Sequence, residues 1–315
     1  MHRRLLTWFG MLSLAIAVAS LATRAQTPAA SQRTSTSPRT PWGDPDLQGV
    51  WDYATMTPLE RPRELAEKGV LTDEEAAAYE RQFFERQKVG FNTAGPVWWD
   101  KAGLANRRTS LIVDPPNGRI PALTPEAQKR AAALAQARRE RGPADTVEDL
   151  GLGVRCLQFA TAGPPMLPAM YNNNVQIFQT RQVVALFNEM IHDTRIVPMD
   201  GRPHGTIRQW MGDSRGHWEG STLVVDTVNF TDKTSFRGSD ENLHLVERFT
   251  RVDRNTIEYR FTVDDPTAWT QSWSAAFPMH ATAALIYEYA CHEGNALSLL
   301  GILKSARAEE KTADR

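Results

Sequence analysis

Little in this sequence matches the motifs that announce a reaction. It has no Gly-rich phosphate loop, no Gly-x-Ser-x-Gly turn and no stripe of alternating basic and aromatic residues. Nucleotide enzymes, α/β-type hydrolases and nucleic-acid binders therefore lose ground as readings. None of the seven histidines falls in His-x-His or His-Glu-x-x-His, and Cys-x-x-Cys is missing; neither a metal site nor a cofactor is expected. Cys291-His292-Glu293 does supply ligand types, but neighbours on a strand point to opposite faces. A formal charge of −1 gives no one-signed surface to attract nucleic acid or an anionic membrane.

Cysteine is nearly absent. Cys156 and Cys291 are the two in the chain, and in an exported protein such a pair points to a disulfide closing a very long loop. A nucleophilic Cys291 beside His292 is the sharper alternative. It is disfavoured because adjacent strand residues face apart and because free thiols oxidise outside the cell.

Export is read from the first 25 residues. Arg3 and Arg4 form a basic start, residues 5–21 an apolar stretch, and Thr23-Arg24-Ala25 a cleavage site, which together make a signal peptide. The location expected is periplasmic or secreted, with no stable membrane insertion after cleavage. Residues 26–41, rich in Ala, Ser, Thr, Gln and Pro, have little to bury and read as a flexible spacer.

What the chain does have is a succession of strands. Between 171 and 293, alternating or apolar segments at 182–190, 222–230, 243–253, 256–263 and 285–292 are separated by short polar turns, with no helical period between them. That pattern predicts an antiparallel barrel over 155–307. Residues 42–154 supply a first strand around Gly49-Val50-Trp51 and then a helical and irregular wrap. One wrap helix opens at Thr72, with Glu75 completing a capping box; a second opens at Thr124-Pro125 and ends before Gly142. Residues 295–307, with Leu297, Leu300 and Leu303 at helical spacing, form a closing helix.

Titratable residues sit within these strands. On one continuous strand through 188–195, Glu189, Asp193 and Arg195 share a face and His192 joins Asn188 on the other; no Gly or Pro marks a tight hairpin there. Either a carboxylate or His192 then serves as base or acid inside the barrel, or Asp193 and Arg195 form an ion pair on the outside. Glu247 shares a face with Leu243, Leu245 and Phe249. It is read as a carboxyl with a raised pKa or as a buried ion pair with Arg195 or Arg260. On a strand over 285–292, Glu288 and His292 share one face, and Tyr287 and Tyr289 the other. The candidate catalytic residues are Glu189, His192, Arg195, Glu247 and His292. Asn173, Trp273, Tyr287 and Glu288 are the candidate ligand contacts; Trp269 and Trp273 would either stack a ring or fill the barrel.

Several blocks carry a resemblance. They include Gly163-Pro164-Pro165-Met166-Leu167-Pro168, Tyr171-Asn172-Asn173-Asn174, Ile191-His192-Asp193-Thr194-Arg195, Gln209-Trp210-Met211-Gly212-Asp213-Ser214-Arg215-Gly216-His217-Trp218 and Ala290-Cys291-His292-Glu293-Gly294-Asn295. Together they resemble an uncharacterised family of exported bacterial proteins, which brings no activity with it. Gly49-x-Trp51, the strand number and the closing helix look more loosely like lipocalin-like barrels. That resemblance implies a Trp plugging one end of the barrel, although no Arg in the last strand is available to cover it. The functional expectation is a small-molecule enzyme performing elimination, hydration or isomerisation by cofactor-independent acid–base chemistry (a lyase or isomerase). The alternative is a non-catalytic binding or carrier protein of the cell envelope.

Overall fold

The computed structural model describes residues 38–90, 103–142, 144–234 and 236–313. The residues read as a signal peptide and most of those read as a spacer lie outside them. The fold is mainly antiparallel β, a nearly closed barrel of nine strands, with three α-helices among the described residues. The strands are β1 (Gly49–Asp52), β2 (Ile112–Asp114), β3 (Asn174–Gln179), β4 (Val183–Asn188), β5 (Thr194–Pro198), β6 (Asp213–Glu219), β7 (Thr222–Val228), β8 (His244–Arg251), β9 (Thr256–Asp264) and β10 (Trp273–Ala281). Their order is β5-β4-β3-β1-β10-β9-β8-β7-β6, with β2 added beside β10. Strand β1, far upstream in sequence, is therefore inserted between β3 and β10 and ties the wrap to the barrel.

Alternation explains the interior. Ile257, Tyr259, Phe261 and Val263 of β9 are all fully buried, and they face Leu245 and Phe249 of β8 and Phe277 and Met279 of β10 in one continuous core. Each such side chain contributes roughly 1.5–3 kcal/mol on leaving water. The two ends of the strand order meet at β5 and β6, where side chains rather than ladder hydrogen bonds make the closure. Gly216 permits it: a Cβ there would collide with Met199 Sδ and lie 2.8 Å from Val197 Cγ1. Arg215 spans the same seam, 3.4 Å from Asp213 and 3.9 Å from Asp200.

Both barrel ends are filled from within the chain. At the start of β1, buried Trp51 donates its indole N–H to Leu47 O at 2.9 Å, and the Arg251 guanidinium of β8 lies 5.1 Å from its ring centre. The cation over the tryptophan thus comes from β8. Beyond the other end of β1, residues 161–167 are buried and form a plug. Tyr53 donates to Thr161 O at 2.8 Å, and the Met166 N–H donates to Tyr259 Oη at 3.1 Å.

Helix α1 (Asp73–Gly90) opens on the expected capping box: Thr72 N–H donates to Glu75 Oε2 at 2.9 Å and Glu75 N–H to Thr72 Oγ1 at 3.3 Å. Helix α2 (Pro125–Arg139) is capped by Thr124, which accepts from Ala127 N–H at 3.1 Å. Gly216-His217-Trp218 lies within β6, and the turn into β7 falls at Gly220 with φ +61°. Two expectations are corrected. Residues 282–290 form no strand, because β10 is already flanked by β9, β1 and β2 and offers no edge. Helix α3 (Cys291–Ala313) follows the last strand as expected but begins earlier than residue 295, and Leu297 and Leu300 on it are exposed.

Candidate functional site in the polar end of the barrel

The decisive local feature is the connection between β4 and β5. A short 3-10 turn, Met190–His192, reverses the chain with Ile191 at φ +53° and His192 at φ +55°. Positive φ is rare without glycine and is a genuine outlier for a β-branched residue. Such strain persists where surrounding contacts impose it. The single continuous strand expected over 188–195 is therefore a tight hairpin, and its face assignment changes. The Asn188 N–H donates to Asp193 O at 2.8 Å, making these two residues neighbours across the hairpin. Continuing the alternation of Val184, Leu186 and Asn188, and of Arg195 and Val197, puts Asn188, Asp193 and Arg195 on the inner face. Glu189 and His192 leave it.

Deeper in the barrel, Arg195 meets Glu247. Both are buried, with Glu247 fully so, and the pair is bidentate: Arg195 Nη1 donates to Glu247 Oε2, and Nη2 donates to Oε1 at 2.9 Å. Tyr259 adds its hydroxyl to Glu247 Oε1 at 2.6 Å. Burial works against the Arg195 charge, but Glu247 outweighs it and the guanidinium pKa is raised. Burial, reinforced by the Glu247 charge, pushes the Tyr259 phenol far up. Glu247 is therefore the buried-ion-pair alternative of the sequence reading. Three hydrogen bonds tie its two oxygens to Arg195 and Tyr259, which fixes it as the counter-charge of the guanidinium.

Around this fixed pair lie polar atoms that nothing among the described residues satisfies. Arg195 Nε, Asn188 Nδ2, Asp193 Oδ2 and Thr161 Oγ1 are each shielded from solvent and have no hydrogen-bond partner. Buried polar groups are paired in the great majority of cases, so every orphan needs an occupant or a reason. Asn188 Oδ1 does accept from Tyr53, at 3.4 Å. Burial drives the Tyr53 phenol pKa up, with Asp52 and Glu189 adding to the shift. Asp193 is half-buried, and burial raises its carboxyl pKa despite the opposing charge of Arg195. The inner face near the plug thus offers two N–H donors and one carboxyl of elevated pKa.

The remaining expected residues fall elsewhere. Glu189 is buried on the outer side of the hairpin, where it accepts from Asn174 Nδ2 at 2.7 Å and from the Tyr287 N–H at 3.3 Å. Exposed His192 accepts from the Tyr289 N–H at 3.1 Å through Nδ1. These two side chains hold residues 282–290 against the hairpin as a strap, with the Tyr289 ring stacked on Tyr171 at 6.4 Å. Glu288 and Tyr287 are exposed on the strap and His292 is exposed on α3, so none of the three lines the lumen. Asn173 closes its own turn, bonding Ala169 N and O at 2.7 and 2.9 Å. Trp273 is buried in the core, edge-on to Trp269 at 5.7 Å; Trp269 lies in the loop before β10. Cys156 and Cys291 are brought to disulfide distance, with Cα atoms 5.9 Å apart.

Sequence reasoning missed Asn188, Tyr53 and Tyr259 as members of the inner cluster and set Asp193 among the ion pairs. A second polar cluster lies outside the barrel, where His204 sits between Asp213 (3.2 Å) and Asp226 (2.9 Å), and the other Asp226 oxygen meets His244 Nε2 at 2.9 Å. Among the described residues, no three His, Cys, Asp or Glu side chains are arranged to hold a metal ion, and no helix is long and apolar enough to cross a membrane. Compared with family profiles, curated proteins and solved structures, the chain matches none of them.

Proposed function

We propose that this is an exported enzyme that performs cofactor-independent acid–base chemistry on a small carbonyl or carboxylate compound at the polar end of the barrel. The observation that carries the reading is the set of orphaned groups on one face of the β4–β5 hairpin: Asn188 Nδ2, Arg195 Nε and Asp193 Oδ2, buried and without partners among the described residues. Two N–H donors fit the oxygen of a carbonyl group whose charge grows as a neighbouring C–H bond breaks. Asp193, its pKa raised by burial, is suited to receive that proton as a carboxylate and return it to another atom. Returning it to a different carbon completes an isomerisation; expelling a β-substituent instead completes an elimination. Glu247 and Tyr259 position Arg195 and take no proton themselves. Export is supported by the basic and apolar leader and by the cysteines at disulfide distance.

Solvent exchange tests this. The mature protein in D2O is incubated with pyruvate, acetoacetate and a panel of small keto and hydroxy acids, and the C–H protons beside each carbonyl are followed by NMR. The expected result is catalysed deuterium uptake by at least one compound. Asp193→Asn should abolish uptake while line broadening still reports binding. Binding without exchange in the wild-type protein would refute catalysis and leave a carrier. Neither binding nor exchange would remove the site.

A further inference from the structure

A second site, independent of that reading, lies on the outer side of the plug. Residues 160–167 turn two faces to their surroundings: Thr161 and Met166 close the barrel, while Gly163, Pro164 and Pro165 line a cleft of 520 Å³ bounded by α2 and the turn after β7. That volume falls within the range of small-molecule sites. The apolar part of the lining is rigid. Phe236 is half-buried and lies parallel to the buried indole of Trp273, ring centres 6.0 Å apart and planes 15° off parallel, so its tilt is set by the core beneath. Together with the rigid rings of Pro164 and Pro165 it offers an apolar surface on which a planar ring packs at little entropic cost.

Charge in the cleft is unevenly satisfied. Lys233 is paired with Glu148 at 3.3 Å, and Asp149 is occupied by Arg141 at 2.8 Å and by the Thr146 N–H at 2.8 Å. Arg155 differs. Its guanidinium lies 5.7 Å from the centre of the Trp210 ring, and among the described residues no carboxylate forms an ion pair with it. A guanidinium held over an aromatic ring keeps its N–H fork free for a planar anion. Arg138 adds a positive charge to the lining and Asp232, exposed at the rim, a negative one.

We propose that this cleft binds a small aromatic anion, its ring on Pro164, Pro165 and Phe236 and its carboxylate on Arg155. Calorimetric titration of the mature chain with 2-naphthoate and with neutral 2-naphthylmethanol tests the assignment. Naphthoate should bind at one site and at least about tenfold more tightly, as a hydrogen bond to a charged group implies. Arg155→Gln should erase that difference while leaving the neutral compound unchanged. Ala160→Trp, made at an exposed lining position, should fill the space and abolish both; Phe236→Ala serves the same end if that variant folds poorly. Equal affinities for the two compounds, binding that survives both cleft variants, or no binding of either at millimolar concentration would overturn the proposal.

Discussion

At the scale of single residues, the Arg195–Glu247 pair shows the difference between holding a structure and doing chemistry. Removing one partner of a buried ion pair leaves the other charged and unpaired, at a cost of about 3–5 kcal/mol. Deleting the Tyr259 hydroxyl costs only about 1–3 kcal/mol, because Glu247 keeps Arg195. Urea titration of Glu247→Gln and Tyr259→Phe should therefore rank them in that order; equal losses would mean that the carboxylate is not the centre of the network. Glu247 was legible in the sequence for a simple reason: it sits among Leu243, Leu245 and Phe249 on one strand face, and a carboxylate there needs a cation. Asp193 and Asn188 were not. Their contact depends on Ile191 and His192 adopting positive φ, and neither residue type signals that conformation. This strain is itself testable. Ile191→Gly should remove about 1–3 kcal/mol of backbone strain, and since Ile191 is only half-buried, the unfolding midpoint should rise. A lower midpoint would show that the side-chain packing outweighs the strain.

At the scale of elements, the polar cluster on the outside of β6, β7 and β8 fastens the loop before β6 to the sheet. His204 and the Gly205 N–H reach Asp213, His204 and His244 share Asp226, and Asn229 Nδ2 donates to Gly205 O at 2.8 Å. The hydrogen bond to Asp226 is the main reason the His244 pKa is raised; partial burial opposes it, and the charges of Asp226 and Asp264 add to the rise. Burial acts against the Asp226 carboxylate, but its bonds to His244 and His204 prevail and lower its pKa. Arg215, beside Asp213, is the nearby cation of β6. A raised histidine pKa stabilises the fold fully below the unfolded value of about 6.5, and the benefit is lost as pH rises through the folded value. A lowered carboxyl pKa stabilises above about 3.8, with loss as pH falls through the folded value. The stability difference between the wild-type protein and Asp226→Asn should thus be largest between about pH 4 and 6.5 and should shrink on both sides. A difference that grows from pH 7 to 9 would contradict this linkage. The strap over 282–290 teaches a complementary lesson about legibility. Its alternating Tyr and Glu residues read as a strand, yet pairing depends on a free sheet edge, which is a property of the whole fold and not of the segment.

At the scale of the molecule, the cysteines decide how the late elements are coupled to the rest. Cys156 lies just before the plug and Cys291 at the first turn of α3, 135 residues apart in sequence, so a bond between them encloses every strand from β3 to β10. Chain-entropy arguments give such a loop about 5 kcal/mol against the unfolded chain. The plug it anchors touches Tyr53 and Tyr259, and the strap it anchors is held by Glu189 and His192. Loosening either therefore acts on the wall that carries Asn188, Asp193 and Arg195. Helix α3, by contrast, buries little beyond Cys291, so its own packing adds little to the barrel. The Cys156→Ser, Cys291→Ser double variant should accordingly unfold at clearly lower urea concentration, and hydrogen exchange in the native state should quicken first in α3, the strap and the plug. The central strands β8 and β9 should keep their relative protection until global unfolding. Were the urea midpoint unchanged, the crosslink would be local to α3, and the plug and strap would be held by the tyrosine, glutamate and histidine contacts alone.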